Sequence, residues 1–447
     1  MRIQRLAALF AVATIVAACG GTQTSTGSPP TSAGPATPST PPAASSDTGA
    51  ASPSAVTGTV QLWYLEDPEF TFLPAIKERF EAAYPGITVE LTEIPEDGYV
   101  TKVDTALLAG QPPDIGFIYE PRWMKAGSVM PLDDVVASAG IDLSTFNQTA
   151  MSPCELDGKL YCLGSLGGSV QVIYNKAMFD AKGLPYPSTT QAMPIDEYSA
   201  LARKLYEPND DPNAVVWGST ADVPFWWTDR STHFSPDGRT IAGLVNDDAT
   251  AHMYDVLATM ARDGIAPSPT QAEAASAADM LGAGDVAMAI TDVEVGASSL
   301  EKAGFAWGAA PPPIEAVGST PFVFTGTDQY GIFSKAPNPE AAKLFMAYLG
   351  KEGSKIRVEV SDDPPIDSNY IAQWAGDNPG RKQVGEVMSL TSKTPLIPGF
   401  WDVTAPLGDL FSLMVSGEAQ PKAALDEEAP NLQDSLDQQW ETWDSIK

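Results

Sequence analysis

Between Val60 and Tyr119 the sequence alternates strand and helix patterns, and that order narrows the folds open to it. Val60-Gln-Leu-Trp-Tyr-Leu65 is a β-rich run, followed by a helix pattern with Phe72, Leu73, Ile76, Phe80 and Ala83 on one face. Pro85-Gly86 stops that helix, and Ile87-Thr-Val-Glu-Leu91 is the next strand. Val100, Val103 and Leu107 mark a second helix, ended by Gly110 to Pro113, and Asp114 to Tyr119 is a third strand. Strand–helix–strand–helix–strand predicts a parallel sheet with helices on its faces. Such sheets bind ligands beyond the carboxyl ends of their strands, where this sequence carries Glu66-Asp67 and Tyr119-Glu120. These acids read equally well as caps of the following helices.

A second α/β pattern follows. Ser169–Tyr174 is a strand, Ile195–Tyr206 a helix, Val215–Trp217 a short strand and Ala249–Asp263 a helix stopped by Gly264. Asp285–Thr291 and Gln329–Phe333 read as strands, Pro339–Leu349 as a helix, and two helical segments, about 403–416 and 421–445, close the chain. With 447 residues and no second linker, the pattern predicts two domains whose chain crosses between them more than once.

The N-terminus is of another kind. Arg2 and Arg5 precede thirteen residues, Leu6 to Ala18, of which only Thr14 is polar, and Ile15-Val-Ala-Ala-Cys-Gly20 follows on small residues. A basic start, a short apolar run and small residues at a cut site describe an export signal. Thirteen residues span roughly 20 Å as a helix, short of a ~30 Å hydrocarbon core. Cys19 stands as in a lipobox, which predicts a signal over 1–18 and a lipid-anchored protein on the outer face of the cell membrane. The alternative is a soluble secreted protein that loses Cys19. Residues 19–57, dominated by Ser, Thr, Pro, Gly and Ala, offer no apolar face and predict a disordered tether.

Charge excludes some functions. Acidic residues number 57 against 26 basic ones, for a net charge of -31. Phosphate backbones and polybasic membrane docking both need Lys/Arg clusters, so no nucleic-acid partner is expected. Cys154 and Cys162 flank a hairpin around Asp157-Gly158-Lys159. A three-residue loop there sets Leu156 against Leu160 and Cys154 opposite Cys162, where an oxidising compartment permits a bridge; two reduced thiols are the alternative.

Candidates for catalysis are few. The sequence has two histidines: His252 in an amphipathic helix and His233 in a polar loop. No HExxH, CxxC or P-loop spacing occurs, and Asn209–Asn213 lacks the spacing of a calcium loop, so no catalytic residue, metal or cofactor is assigned. A glycoside hydrolase needs only two carboxylates and remains the enzymatic alternative. Aromatics say more. Trp226-Trp227 follow Asp222, and Trp401 follows Gly399-Phe400 in Pro/Gly-flanked loops. Amphipathic rings there suit a partly wet ligand such as a sugar, or else they pack the joint between lobes.

Taken in order, FEAAYPGITVEL, Pro113-Asp114-Ile115 leading to MPLDD, LDGKLYCLG, VIYNKAMFDAKGL, MLGAGDVAMAI and YGIFSKAPNPEAAKLFMAYL make the chain resemble the family 1 extracellular solute-binding proteins of ABC importers, the maltose-binding-protein-like group. The resemblance runs from Val60 to about Gln438. It implies an α/β, two-lobed, periplasmic-binding-protein-like fold with a hinge and a ligand cleft between lobes. Crossings are expected near 168–174, 324–330 and 349–353, giving lobe one as 58–167 plus 325–350 and lobe two as 168–324 plus 351–447. It further implies a monomer that binds a carbohydrate and delivers it to the importer's membrane subunits without a reaction. Carried over by position, Asp67, Glu120, Asp222, Trp226 and Trp401 are expected to contact the ligand, with Glu66, Trp227, Tyr330, Asp292 and Glu294 as further candidates. Asp292 and Glu294 stand where relatives often have an aromatic, and Gly167-Gly168 where some place a polar contact. Those departures put maltose itself in question and admit another oligosaccharide, a polyol, an amino sugar or a cationic ligand such as a polyamine.

Overall fold

The computed structural model describes residues 56–66, 72–211, 214–316, 318–319, 321–390 and 395–447. The signal, Cys19, nearly all of the tether and Asp67 lie outside the described residues. The described residues, from Val56 onward, belong to one compact unit.

Its first sheet forms as the alternation requires. β1 (Gly58–Leu65) lies parallel to β2 (Ile87–Ile94), from Gly58 opposite Ile87 to Leu65 opposite Ile94, and parallel to β3 (Ile115–Phe117) on its other edge. Val60, Leu62 and Leu65 are buried, and Phe72, Leu73, Ile76 and Phe80 bring the helix Leu73–Ala83 onto the same core. Ala83, expected on that face, is exposed.

The intervening hairpin differs from expectation. β4 (Glu155–Leu156) and β5 (Lys159–Leu160) pair Leu156 with Lys159, so the loop is the two residues Asp157-Gly158, not three. Both have positive φ, 51° and 74°, as a two-residue turn matching the strand twist demands. Cys154 then lies diagonal to Cys162 across the hairpin, and the two still form a disulfide with Cα atoms 4.9 Å apart.

The second sheet is built on β6 (Gly168–Asn175), buried at all eight positions. β7 (Met288–Asp292) and β8 (Trp307–Ala310) flank it antiparallel, and β9 (Thr325–Gly326) pairs with its first two residues. Val170, Val172 and Tyr174 face one apolar core and Ile173 another, the two-residue period of a strand covered on both faces. Val215–Trp217 makes only isolated bridges, Val216 with Glu207 and Trp217 with Val286. β10 (Tyr330–Ile332) returns the chain to the first sheet, antiparallel to β3.

Asp328 ties three segments of the chain together, those of Ser165, of Asp328 itself and of Arg357. Its carboxylate accepts from the Ser165 and Leu166 amides at 2.6 and 2.7 Å and pairs with Arg357 at 3.2 Å. Arg357 also holds Asp363 at 2.8 Å and lies 3.7 Å over the Phe72 ring. Both charged side chains of the Asp328–Arg357 pair are fully buried. Gly164 is obligatory here, since a Cβ on it would sit 2.2 Å from Thr327 Oγ1. The helix Pro339–Val360 runs unbroken through 349–353, where the sequence reading places a crossing. A Cβ on Gly350 would stand 2.6 Å from Ile141 and one on Gly353 3.0 Å from Ser165, so these glycines allow close packing and break nothing.

Candidate ligand-binding site

On the first lobe the site begins where β3 ends. Glu120 occupies the N-cap position of the helix Pro121–Lys125, yet its side chain makes no capping bond. It reaches Arg122 instead, Nε to Oε2 at 3.3 Å. Arg122 is itself committed to Asp104 by two hydrogen bonds of 3.0 and 2.8 Å, and Trp123 Nε1 donates to the same carboxylate. The Tyr119 hydroxyl donates to Glu96 at 3.3 Å. Burial pushes the Glu120 carboxyl above the usual carboxylate range; Asp402 adds to the push and Arg122 opposes it. The Tyr119 hydroxyl is raised by burial and by Glu96, Glu120 and Asp402. Asp402 belongs to the second lobe, so carboxylates from both lobes share one region. Glu66 is exposed at the end of β1, its amide bonded to Ile94 O at 2.9 Å.

The second lobe contributes an aromatic wall. Asp222 accepts from the Val223 amide at 2.7 Å and from Trp226 Nε1 at 3.2 Å, which fixes the indole; burial raises the Asp222 carboxyl against those two bonds. Phe225 lies edge-on to Trp401 at 6.3 Å and near Phe400 at 6.2 Å, and Phe400 lies edge-on to Trp401 at 5.0 Å. The ring of Trp401 is thus supported from behind while 51% of the residue stays exposed. Its helix, Phe400–Ser416, starts from Gly399 at φ 61°, a left-handed turn that a side chain would obstruct against Gln439.

The expected residues sort as follows. Glu120 stands near Asp402, Trp226 is held by Asp222, and Trp401 packs against Phe225, the residue before Trp226. Trp227 and Tyr330 join neither group: each is fully buried, Trp227 in the second lobe's core and Tyr330 in the first, edge-on to Phe117. In the tight 3₁₀ turn Pro224–Trp226 successive side chains diverge, so the neighbour of an outward Trp226 points inward. Asp292 and Glu294 sit at the end of β7, beside the start of β6; Glu294 Oε1 would be 3.2 Å from a Cβ on Gly168. The sequence marks Tyr119 by its place at the strand end, whereas Asp402 and Arg122 are absent from the sequence-derived set. Asp402 in a helix's first turn reads as an ordinary complement to the helix dipole, which hides it.

Among the described residues no group of three or more His, Cys, Asp or Glu is placed to hold a metal ion, and no helix is long and apolar enough to cross a membrane.

A family model described as bacterial extracellular solute-binding protein matches residues 66–356. A protein of Brucella abortus (strain 2308), named as a binding protein, is 23% identical over 396 residues, covering 85% of this chain and 94% of the relative. Among solved structures, an ABC substrate-binding protein of Listeria monocytogenes in complex with cycloalternan superposes with a TM-score of 0.71 at 22% identity, covering 85% of this chain and 99% of that one. The GacH receptor of Streptomyces glaucescens, solved unliganded and with acarbose, gives 0.69 at 20% identity, with 88% and 100% covered. Two-lobed architecture and family, both expected from the sequence, hold. The chain belongs to the bacterial extracellular solute-binding protein family.

Proposed function

We propose that this protein is a lipid-anchored receptor, monomeric and without cofactor or reaction of its own, that captures an oligosaccharide between its lobes and hands it to an ABC importer. The observation that carries this reading is Trp401: half exposed, braced edge-on by Phe225 and Phe400, and grouped with an indole held by Asp222. Sugars offer apolar C–H faces to such rings and hydroxyls to flanking carboxylates. Cycloalternan and acarbose, bound by structural neighbours, support an oligosaccharide. Closure around the ligand is a hinge motion about the crossings, selecting a form that the importer's membrane subunits recognise.

One observation favours a second reading. Glu120, Asp402 and Asp222 supply carboxylates from both walls, while Arg122 is already engaged by Asp104 and Glu120. An amino sugar or polyamine fits that surplus. A thermal-shift screen of the full chain separates the readings, using maltotriose, mannotriose, acarbose, polyols and spermidine. A ligand at 100 times its Kd adds about 2.7 kcal/mol. Stabilisation by one saccharide class, with no product on chromatography, upholds the receptor. A shift only with spermidine upholds the cationic ligand, and saccharide cleavage upholds the hydrolase. For the anchor, Cys19→Ser should move the protein from the membrane fraction to the medium; retention of the variant on membranes refutes lipidation.

A further inference from the structure

The C-terminal helix Pro421–Ser445 belongs to the second lobe along most of its length, where Leu425, Ala429, Leu432 and Leu436 enter the core. Its final turns are placed differently. Trp443 is only 6% exposed, yet it joins none of the apolar clusters that form the two lobes' cores. Its ring partners are Trp440, edge-on at 6.3 Å, and Lys125, whose ammonium lies 5.6 Å from the ring centroid. Lys125 ends the helix that begins after Glu120, and that helix is anchored in the first lobe's core by Trp123 and Met124. The contact therefore runs from one lobe to the other.

It also runs on the cleft side. Gln439, one turn before Trp443, packs against Gly399, from which the helix of Trp401 and Asp402 starts. The end of the C-terminal helix is fastened to the second lobe independently. Arg239 bonds Asp444 at 3.0 and 3.1 Å and lies 4.0 Å over the Trp440 ring, and Trp440 Nε1 donates to Gly238 O at 2.8 Å. Trp443 is thus presented from a braced platform, and the ammonium it meets is carried by the opposite lobe.

We propose that Trp443 and Lys125 form a strap across the cleft, which limits how far the lobes part and sets the balance of open and closed forms before any ligand arrives. A cation over an indole face is attractive without fixing a single geometry, which suits a contact that must break and re-form. Apparent affinity scales with the population of the binding-competent form, so the strap tunes affinity from outside the ligand's own contacts.

The test needs no ligand and does not depend on which solute is bound. Spin labels on exposed Ala137 of the first lobe and Ala303 of the second, each replaced by Cys in the full chain carrying Cys19→Ser, report the lobe separation. Lys125→Gln and Trp443→Ala should each shift the distance distribution to longer values, and because Lys125 also attracts Asp444 at the same helix end the double variant should shift at least as far as either. Lys125→Gln leaves both cores untouched, so the result stands even if Trp443→Ala frays its helix. A Lys125→Gln distribution that superimposes on the parent overturns the strap, because any effect of Trp443→Ala then belongs to the helix end.

Discussion

His233 is 1% exposed, its Nε2 lies 3.3 Å from the Tyr254 hydroxyl, and its Nδ1 has no hydrogen-bond partner. Burial pushes the imidazole down from 6.5 to about 4, with Asp247 opposing. The folded protein therefore resists a proton that the unfolded chain accepts. Above pH 6.5 neither state is charged and nothing is lost; as pH falls from 6.5 towards 4 stability drains away, and below 4 the loss levels off. One pKa unit is worth about 1.4 kcal/mol, so the full loss approaches about 3 kcal/mol. At pH 5 the same linkage gives a loss of about 2 kcal/mol relative to pH 8. The buried carboxyls of Glu120, Asp222 and Glu315 are raised, so their contributions run the opposite way and gain on acidification. Comparing the parent with His233→Gln cancels them. Urea unfolding followed by tryptophan fluorescence at pH 8 and pH 5 should show the parent's stability advantage over the variant shrinking by about 2 kcal/mol. An advantage that is the same at both pH values would refute a neutral, buried His233.

Other perturbations test separate parts of the argument. Arg357→Ala strands the buried Asp328 carboxylate and should cost about 3–5 kcal/mol in the same unfolding assay; a loss below 1 kcal/mol would mean that the crossing relaxes around it. Trp401→Ala should weaken binding of whichever saccharide the screen identifies by tenfold or more, about 1.4 kcal/mol by calorimetry, whereas Trp227→Phe should act on stability first. Reducing Cys154–Cys162 opens a short loop and should cost about 2 kcal/mol, the low end for a disulfide, seen as a lower Tm in reductant.

The elements that read clearly from the sequence are those whose pattern is local. β1 shows its buried face through Val60, Leu62 and Leu65, and the first helix shows a stripe from Leu73 to Phe80. Local signals also misled where two competed. Asp157-Gly158 carries its own two-residue turn, but setting Cys154 opposite Cys162 favours a three-residue loop; the turn prevails and the disulfide tolerates the diagonal. Gly350 and Gly353 resemble a helix end, yet what they meet is the side chains of Ile141 and Ser165 from distant sequence. Trp226 and Trp227 are the same residue type side by side, and only the tertiary fold decides which ring faces out.

Those misses share one physical origin. Where the two lobes join, each residue's role is set by a partner far along the chain: Asp328 by Ser165 and Arg357, Gly353 by Ser165, Glu120 by Asp402. A receptor that closes on its ligand, as proposed above, needs rigid lobes, which local patterning supplies, and a joint that neither lobe specifies alone. The buried Asp328–Arg357 pair fits that need. Its two members sit in two of the crossing segments and bond to the third, so the joint exists only when all three are in register. An apolar replacement would pack the same space while tolerating a slip. On this reasoning Asp328→Leu combined with Arg357→Met should be far less destabilising than Arg357→Ala, and yet should broaden the lobe-separation distribution of the ligand-free protein. A double variant with the parent's narrow distribution would show that packing alone fixes the joint, and that the charges there serve no conformational purpose.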